Sequence, residues 1–225
     1  AVKALKYAPV PVVGAPSGLG VGGGFEVLAH CDKLVVHSNS VLGLVESAVG
    51  VVPSGGGVKE SYLRWHQQTD SWDEAAWKCW MNIGYAATGS SPELSARLQY
   101  FRPDQDETIM NRDRLLPRAI ALVGELAVNY QPPNPPKAQL ATASLADKMA
   151  DFMQTGVDKG DFMPHDKTTA MAIASIMVQS AGDAADVDED TLYARERAAF
   201  ISLAKTAPTH QRISSMLDDG APVRN

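Results

Sequence analysis

The sequence predicts an α/β fold that is followed by an all-helical C-terminal region. Residues 1–60 hold 11 of the 18 glycines, and their apolar residues form short β-branched runs between Gly and Pro. This pattern is typical of buried strands that lead into tight turns. Residues 137–225 are instead rich in Ala, Met and charged residues at helical spacing. Because the proline-rich segment 132–136 forms a stiff linker, we expect two domains, over residues 1–131 and 137–225.

Each predicted element of the first domain rests on a local pattern. Ser71 and Glu74 have the spacing of a capping box, which predicts a helix that begins at Trp72. Pro92 directly after Ser91 predicts a second capped helix. The predicted helices cover residues 1–7, about 22–31, from about 57, from 72, from 92 and about 112–129, and the predicted strands cover residues 9–15, 33–37 and 41–44.

The second domain is predicted from helical periodicity. Its four helices are expected at about residues 138–155, 166–180, 190–205 and 209–218. The acidic run from Asp183 to Asp190 is interpreted as a solvated loop. Five methionines are expected to pack between helices, although a methionine-rich wall would also suit an acyl chain: Met149, Met153, Met163, Met171 and Met177.

Composition and charge argue against several classes of protein. With 20 basic and 26 acidic residues the net charge is −6, which disfavours nucleic-acid binding. No apolar stretch approaches the ~18 residues of a membrane span. Two cysteines without metal-ligand spacing predict neither a disulfide framework nor a metal site, and make a reducing cytoplasm the default compartment. The five histidines share no acidic or cysteine partner, and among them His165, followed by Asp166, is the one to inspect.

The segment Gly18–Gly23 fits the dinucleotide pattern G-x-G-x-x-G and follows a predicted strand. So many glycines satisfy this template by chance, and no acidic residue ends the next strand to hold a ribose. The dinucleotide interpretation is therefore disfavoured. What the glycines do provide is a helix start without side chains, where a ligand can approach backbone N–H groups at the positive end of the helix.

Two glutamates stand next to glycine-rich turns. Glu26 lies within the first turn of the predicted helix, where it either complements the helix dipole or takes part in chemistry. Glu46 closes an apolar run just before the glycine-rich loop Pro53–Gly57, so it lies either on the surface or in a lined pocket. In a pocket, burial would raise its pKa and suit it to proton transfer. Together the two carboxylates form a candidate acid/base pair.

The ordered motifs around these glutamates resemble those of the enoyl-CoA hydratase/isomerase (crotonase) superfamily. The resemblance is carried by Pro11–Gly18, Gly22–Glu26, Cys31–Asp32, Gly43–Glu46, Gly50–Pro53 and Gly55–Gly57. Further segments are similar to one branch, the bacterial fatty-acid oxidation proteins with an N-terminal 3-hydroxyacyl-CoA dehydrogenase and a C-terminal crotonase region. These segments are Met110–Leu116, Tyr130–Pro133, His165–Asp166 and Pro222–Asn225.

The resemblance implies a truncated crotonase-like fold of ββα turns and the reversible hydration of a trans-2-enoyl-CoA to a 3-hydroxyacyl-CoA. It assigns the activation of water to Glu26 and the delivery of the α-proton to Glu46, and having both favours a hydratase over an isomerase. The Gly23 N–H would supply one of two oxyanion-hole donors. The other implied substrate-binding residues are Gly22, Gly24, Pro53 and Ser54. Val45 and Ser54 depart from the family, which commonly has Pro and Gly at these positions.

The resemblance also implies that the sequence is a C-terminal fragment. The missing ββα turns would supply the second oxyanion donor and much of the CoA pocket, so we expect little activity from the chain alone. Acyl-CoA is the implied substrate, and no cofactor is implied for this chain because NAD would bind the absent dehydrogenase. Apolar surface exposed by the missing half predicts a homo-oligomer. The alternative is a catalytically silent packing or oligomerisation module.

Overall fold

A computed structural model describes residues 1–225. The helices are α1 (Val2–Lys6), α2 (Gly23–Ala29), α3 (Gly57–Thr69), α4 (Trp72–Gly84), α5 (Pro92–Ala96), α6 (Leu115–Leu126), α7 (Ser144–Lys159), α8 (Pro164–Met177), α9 (Glu189–Ala204) and α10 (Ala207–Asp219). The strands are β1 (Val13–Gly14), β2 (Leu19–Val21), β3 (Lys33–His37), β4 (Val41–Gly43), β5 (Thr88–Gly89), β6 (Glu107–Ile109), β7 (Lys137–Gln139) and β8 (Asp186–Asp188). Two 3-10 turns cover Glu46–Val49 and Arg112–Arg114.

The chain divides into two compact units. The first comprises Ala1–Leu44 and Ala87–Pro135, and the second comprises Val45–Ala86 and Pro136–Asn225. This division differs from the predicted boundary near residue 131, because the segment with α3 and α4 clusters with the C-terminal helices. The two units are described in turn.

The first unit contains two three-stranded sheets. In one sheet β3 lies between β1 and β6 and runs parallel to both. In the other sheet β4 pairs in parallel with β2 and antiparallel with β5. The β-branched and apolar residues Leu34–Val36 of β3 are fully buried, as the sequence pattern predicts for a central parallel strand. Helix α6 covers this strand, packing three side chains against Val35: Leu115, Ala119 and Leu122.

Two aspartates fasten the ends of these strands. The buried Asp106 carboxylate accepts hydrogen bonds from the Leu34 N–H at 2.9 Å and from the Arg102 N–H at 2.8 Å. Asp32, which follows α2, accepts hydrogen bonds from the Val12 N–H at 2.7 Å and from the Tyr130 hydroxyl at 2.9 Å. Each carboxylate therefore satisfies a backbone N–H group that has no hydrogen-bond partner on a neighbouring strand.

The second unit is mostly helical, but the prediction of an all-helical C-terminal region is wrong. Strands β7 and β8 form an antiparallel pair in which Ala138 lies opposite Val187. These strands fall where the sequence predicted a helix start and an acidic loop. Each has three residues, too few for a readable period, and its partner lies almost fifty residues away in the sequence. In the same unit α4 is tied to α8 by the Trp80 indole N–H, which donates to the Ala170 carbonyl at 2.8 Å.

The predicted helix starts at Trp72 and Pro92 are confirmed. Ser71 and Ser91 cap α4 and α5, each accepting a hydrogen bond from the N–H three residues ahead. The prediction of a strand over residues 9–15 is wrong in extent, because the ladder covers Val13–Gly14. The predicted glycine turn contains β2, which pairs with β4. The repeated ββα superhelix stays a prediction. No helix combines the length and the apolar character needed to cross a bilayer.

Candidate active-site residues and their two helix ends

In the first unit, α2 begins at an open end that is free of side chains. Its N-cap Gly22 has φ 56° and ψ −131°, a conformation that L side chains rarely adopt, and its N–H donates to the Gly43 carbonyl at 2.9 Å. No side chain caps the helix. Gly23 and Gly24 are exposed, and an added Cβ at Gly24 would meet nothing within 4 Å. The first N–H groups of α2 are thus accessible to a ligand.

Glu26 lies beside this open end. The residue is 7% exposed, and its Oε2 atom lies 4.0 Å from the position of a Cβ added to Gly23. Helix α2 is held in place by Phe25, whose ring meets Tyr100 edge-on at 4.7 Å, and by the His30 imidazole, which donates to the Glu26 carbonyl at 2.6 Å. The structure therefore brings together four of the predicted site residues: Gly22, Gly23, Gly24 and Glu26.

This arrangement combines two chemical functions. Backbone N–H groups at a helix N-terminus stabilise negative charge that develops on an oxygen. A carboxylate within the same turn accepts or donates a proton close to that oxygen. Within this unit the chain thus places exposed backbone N–H groups next to a buried carboxylate, a combination that can stabilise an oxyanion and transfer a proton.

In the second unit, Glu46 begins a 3-10 turn that several contacts immobilise. The residue is half-buried, and its backbone carbonyl accepts a hydrogen bond from the Val51 N–H at 3.2 Å. The Ser47 hydroxyl donates to the Ile83 carbonyl of α4 at 2.5 Å. The turn ends at Gly50 in the left-handed conformation, φ 79°. A side chain there would be strained and would also approach the His165 Nε2 atom to 2.8 Å.

His165 and Thr209 hold the end of this turn through a chain of hydrogen bonds. The buried Thr209 hydroxyl donates its one proton to the Gly50 carbonyl at 2.7 Å. It must therefore accept from the His165 Nε2 atom, 2.9 Å away, so that nitrogen carries a proton. Burial and the nearby Arg212 guanidinium hold the pKa of His165 below its ordinary value, which favours the neutral Nε2–H form, while Asp166 opposes this shift. His165, which the sequence marked for inspection, thus supports the Glu46 turn.

The second glycine-rich loop leads into a helix end that is already occupied. Pro53 is buried and Ser54 is exposed. The Glu196 carboxylate accepts hydrogen bonds from the Gly56 and Lys59 N–H groups, both at 2.7 Å. Glu196 itself is fully buried. The positive end of α3 is therefore neutralised by the protein's own carboxylate.

A buried ion cluster continues from this capped end. The Lys59 ammonium contacts the Glu60 and Glu189 carboxylates at 2.6 and 2.8 Å and the Tyr193 hydroxyl at 3.1 Å. Burial alone would lower the pKa of Lys59, but the two carboxylates raise it above its ordinary value. The interpretation of the acidic run as a solvated loop is thus wrong for Glu189, which is buried and paired. Nothing local in the sequence marks Glu189 or Glu196 for these roles.

This chain is similar to proteins with related names in two sequence comparisons. The sequence model of the family described as enoyl-CoA hydratase/isomerase matches residues 1–64. A Bacillus subtilis protein named "Probable 3-hydroxyacyl-CoA dehydrogenase" is 32% identical over 224 residues, which are 98% of this chain and 28% of that protein. The fatty acid oxidation complex subunit alpha of Idiomarina loihiensis is 43% identical over 53 residues, which are 24% of this chain and 7% of that protein.

The fold is similar to that of a solved enoyl-CoA hydratase/isomerase from Pseudoalteromonas atlantica. The TM-score is 0.56 at 15% identity, and the match covers all of this chain and 68% of the other. The chain thus spans somewhat more than a quarter of the length of its Bacillus subtilis relative.

Proposed function

We propose that the chain, whose residues 1–64 match the enoyl-CoA hydratase/isomerase family model, belongs to this family and is part of a fatty-acid β-oxidation enzyme. The reaction proposed is the hydration of a trans-2-enoyl-CoA to a 3-hydroxyacyl-CoA. The observation that carries the proposal is the open N-terminus of α2 with the buried Glu26 carboxylate beside it. Dehydrogenation and NAD binding are assigned to other parts of a longer protein, since the chain spans 28% of its Bacillus subtilis relative.

In the proposed reaction, the Gly23 N–H donates a hydrogen bond to the thioester oxygen. Glu26 removes a proton from water as the water oxygen bonds to C3 of the enoyl group. The electron pair of the C2=C3 bond moves toward the thioester, whose oxygen gains negative charge. The enolate then takes a proton from Glu46 at C2, which restores the carbonyl. Water has been added across the double bond, and the two carboxyl groups have exchanged protonation states.

The experiment compares glutamate variants in the full-length protein that contains this chain, with crotonyl-CoA as the substrate. Glu26→Gln and Glu46→Gln keep the size of the side chain but remove proton transfer, so each should lower kcat about 10²–10⁴-fold with a smaller effect on substrate binding. The double variant should lose less than the product of the two single losses, because the groups act in one step.

Glu93→Gln is the matched control. Glu93 also lies in the first turn of a helix, α5, and in the same unit as Glu26. Its replacement should leave kcat unchanged. Near-wild-type turnover of Glu26→Gln and Glu46→Gln would instead favour a catalytically silent packing or oligomerisation module.

The isolated 225-residue chain is expected to show little or no hydratase activity. One oxyanion donor typically contributes ~2.7–4 kcal/mol to lowering the barrier, and this chain is proposed to hold one of two. Robust hydration of crotonyl-CoA by the isolated chain would contradict the assignment of the second donor to another segment.

The isolated chain is also expected to self-associate. Leu116 and Ile120 lie one turn apart on α6 and are 64% and 63% exposed. Neighbouring exposed apolar side chains favour association. Sedimentation equilibrium should therefore show dimers or larger species, and a monomer over the whole concentration range would contradict this.

A further inference from the structure

The second unit contains a cavity of about 290 Å³ that the proposed hydration mechanism does not use. Four aromatic rings form one continuous wall. The rings of Trp80 and Phe152 lie 5.7 Å apart, those of Phe152 and Phe162 lie 6.0 Å apart, and those of Phe162 and Tyr85 lie 5.9 Å apart. Further apolar side chains lining the cavity are Met81, Met153, Ala170, Pro222 and Val223. A wall of this kind suits an apolar ligand body.

Polar groups are few in the cavity, and they favour an anion. Arg212, Arg224 and Asp166 line it. The Arg212 guanidinium pairs with the Asp166 carboxylate at 2.7 Å, so these two charges compensate each other. The exposed Arg224 guanidinium donates to the neutral Asp161 carbonyl at 3.1 Å and keeps its positive charge. One positive charge is therefore available to a ligand at this site.

One residue of the lining carries a buried hydroxyl that no protein group satisfies. Thr169 lines the cavity, is 2% exposed and has a hydroxyl without a hydrogen-bond partner. Buried polar side chains in native proteins are normally satisfied by protein, water or ligand.

We propose that this cavity binds an amphipathic monocarboxylate, with its apolar body against the aromatic wall and its carboxylate toward Arg224. The volume of about 290 Å³ lies just below the usual range for ligand cavities, about 300–1,000 Å³, which favours a short or medium chain. Ser47 and Ala48, directly after Glu46, also line the cavity. An occupant would therefore touch the turn that carries Glu46, whether or not this chain takes part in hydration.

The test is a calorimetric titration of the 225-residue chain with three probes. Octanoate has both the tail and the carboxylate, octanol has the tail without the charge, and acetate has the charge without the tail. Octanoate should bind saturably at one site, octanol at least tenfold more weakly, and acetate without measurable heat. Equal affinities for octanoate and octanol, or no saturable binding of octanoate, would overturn the proposal. Because this titration measures binding alone, its failure would leave the proposed hydration untouched.

A matched pair of glycine variants locates the binding. Gly84 lines the cavity, and an added Cβ would meet nothing within 4 Å, so Gly84→Leu adds an apolar side chain at the cavity wall. Gly124 in α6 is equally unobstructed but belongs to the other unit, so Gly124→Leu is the control. Gly84→Leu should weaken octanoate binding at least tenfold, and Gly124→Leu should leave it unchanged. Wild-type octanoate affinity in a folded Gly84→Leu protein would overturn the proposal.

An arginine variant tests the charge. Arg224→Gln should lower the affinity for octanoate to that for octanol and leave octanol binding unchanged. The exposed position of Arg224 makes a folding defect a poor explanation of such a result, and circular dichroism checks this directly. Octanoate affinity that stays at the wild-type level in Arg224→Gln would contradict the assignment of the carboxylate to this residue.

Discussion

The starts of α2 and α3 look alike in the sequence but differ in the structure. Each helix begins within a run of three consecutive glycines, Gly22–Gly24 for α2 and Gly55–Gly57 for α3. At α2 no side chain caps the end, and Gly23 and Gly24 are exposed. At α3 the buried Glu196 carboxylate binds the Gly56 and Lys59 N–H groups.

The difference shows that a glycine-rich helix start does not by itself make a binding site. Both ends carry the partial positive charge of a helix N-terminus. At α3 a carboxylate from a helix 137 residues further along the chain neutralises that charge, so the end stabilises the fold. At α2 the charge stays available, with the Glu26 carboxylate beside it. Only the end at α2 therefore suits a substrate oxygen.

The largest effect on stability is expected from opening the end of α3. Glu196→Ala leaves the Gly56 and Lys59 N–H groups without their charged acceptor, and should lower the free energy of unfolding by about 3 kcal/mol. Glu196→Gln keeps one acceptor oxygen and should cost less. Arg197→Ala, an exposed neighbour on the same helix, is the control and should change stability by less than about 0.5 kcal/mol. Urea denaturation measures all three, and equal stabilities of Glu196→Ala and Arg197→Ala would contradict the role of Glu196.

A smaller loss of stability is expected from Thr209→Val. The variant keeps the shape of the side chain but removes the donor to the Gly50 carbonyl and the acceptor of the His165 N–H. The free energy of unfolding should fall by about 1–2 kcal/mol. Thr209→Ser restores the hydroxyl and should recover most of the loss. If the turn positions Glu46, Thr209→Val in the full-length protein should lower kcat more than it raises KM, and Thr209→Ser should restore kcat.

Adding a negative charge at the N-terminus of α2 should instead raise the free energy of unfolding. Gly24→Glu places a carboxylate in the first turn, where it interacts favourably with the helix dipole by about 0.3–1 kcal/mol. Gly24→Gln is the control for size and backbone, so the difference between the two variants isolates the charge. If an oxyanion forms at this end, as proposed, Gly24→Glu in the proposed longer protein should also turn over crotonyl-CoA more slowly than Gly24→Gln, because the added charge opposes it. Equal turnover would mean that no oxyanion forms at this end.

The smallest effect is expected from the titration of His165. Its pKa in the folded protein lies below the ordinary value, because of burial and Arg212, against the opposing effect of Asp166. Between that lowered pKa and the unfolded value of about 6.5, the unfolded chain binds a proton that folded His165 does not. Stability should therefore fall on acidification through this window. His165→Gln removes this contribution, so the stability advantage of wild type over His165→Gln should shrink from pH 7 to pH 5. The exposed His210→Gln is the control.

Local signals in the sequence were sufficient for the parts of the fold that short-range chemistry determines. The caps Ser71 and Ser91 start their helices as expected, because the hydrogen bond spans three residues. The buried strand Lys33–His37 matches its apolar run. The proximity of the glycines and Glu26 at α2 could be predicted because these residues are neighbours in the sequence.

Contacts between residues far apart in the sequence could not be predicted from local patterns. Strands β7 and β8 are three residues long, and each is stabilised by a partner that the local pattern does not show. Glu196 lies in a helix with ordinary periodicity, and its role depends on N–H groups far away in the sequence. The cavity is lined by residues from several helices, so its aromatic wall looks like ordinary helix packing in the sequence.

Amide hydrogen exchange of the 225-residue chain tests the contrast between the two helix ends most directly. Exchange is slow where an N–H is buried and hydrogen bonded, and fast where it is open to water. The Gly56 and Lys59 amides should be protected nearly as well as the core of their unit, while the Gly23 and Gly24 amides should exchange close to the rate of an unstructured peptide. Protection of Gly23 and Gly24 equal to that of Gly56 and Lys59 would contradict an open end at α2.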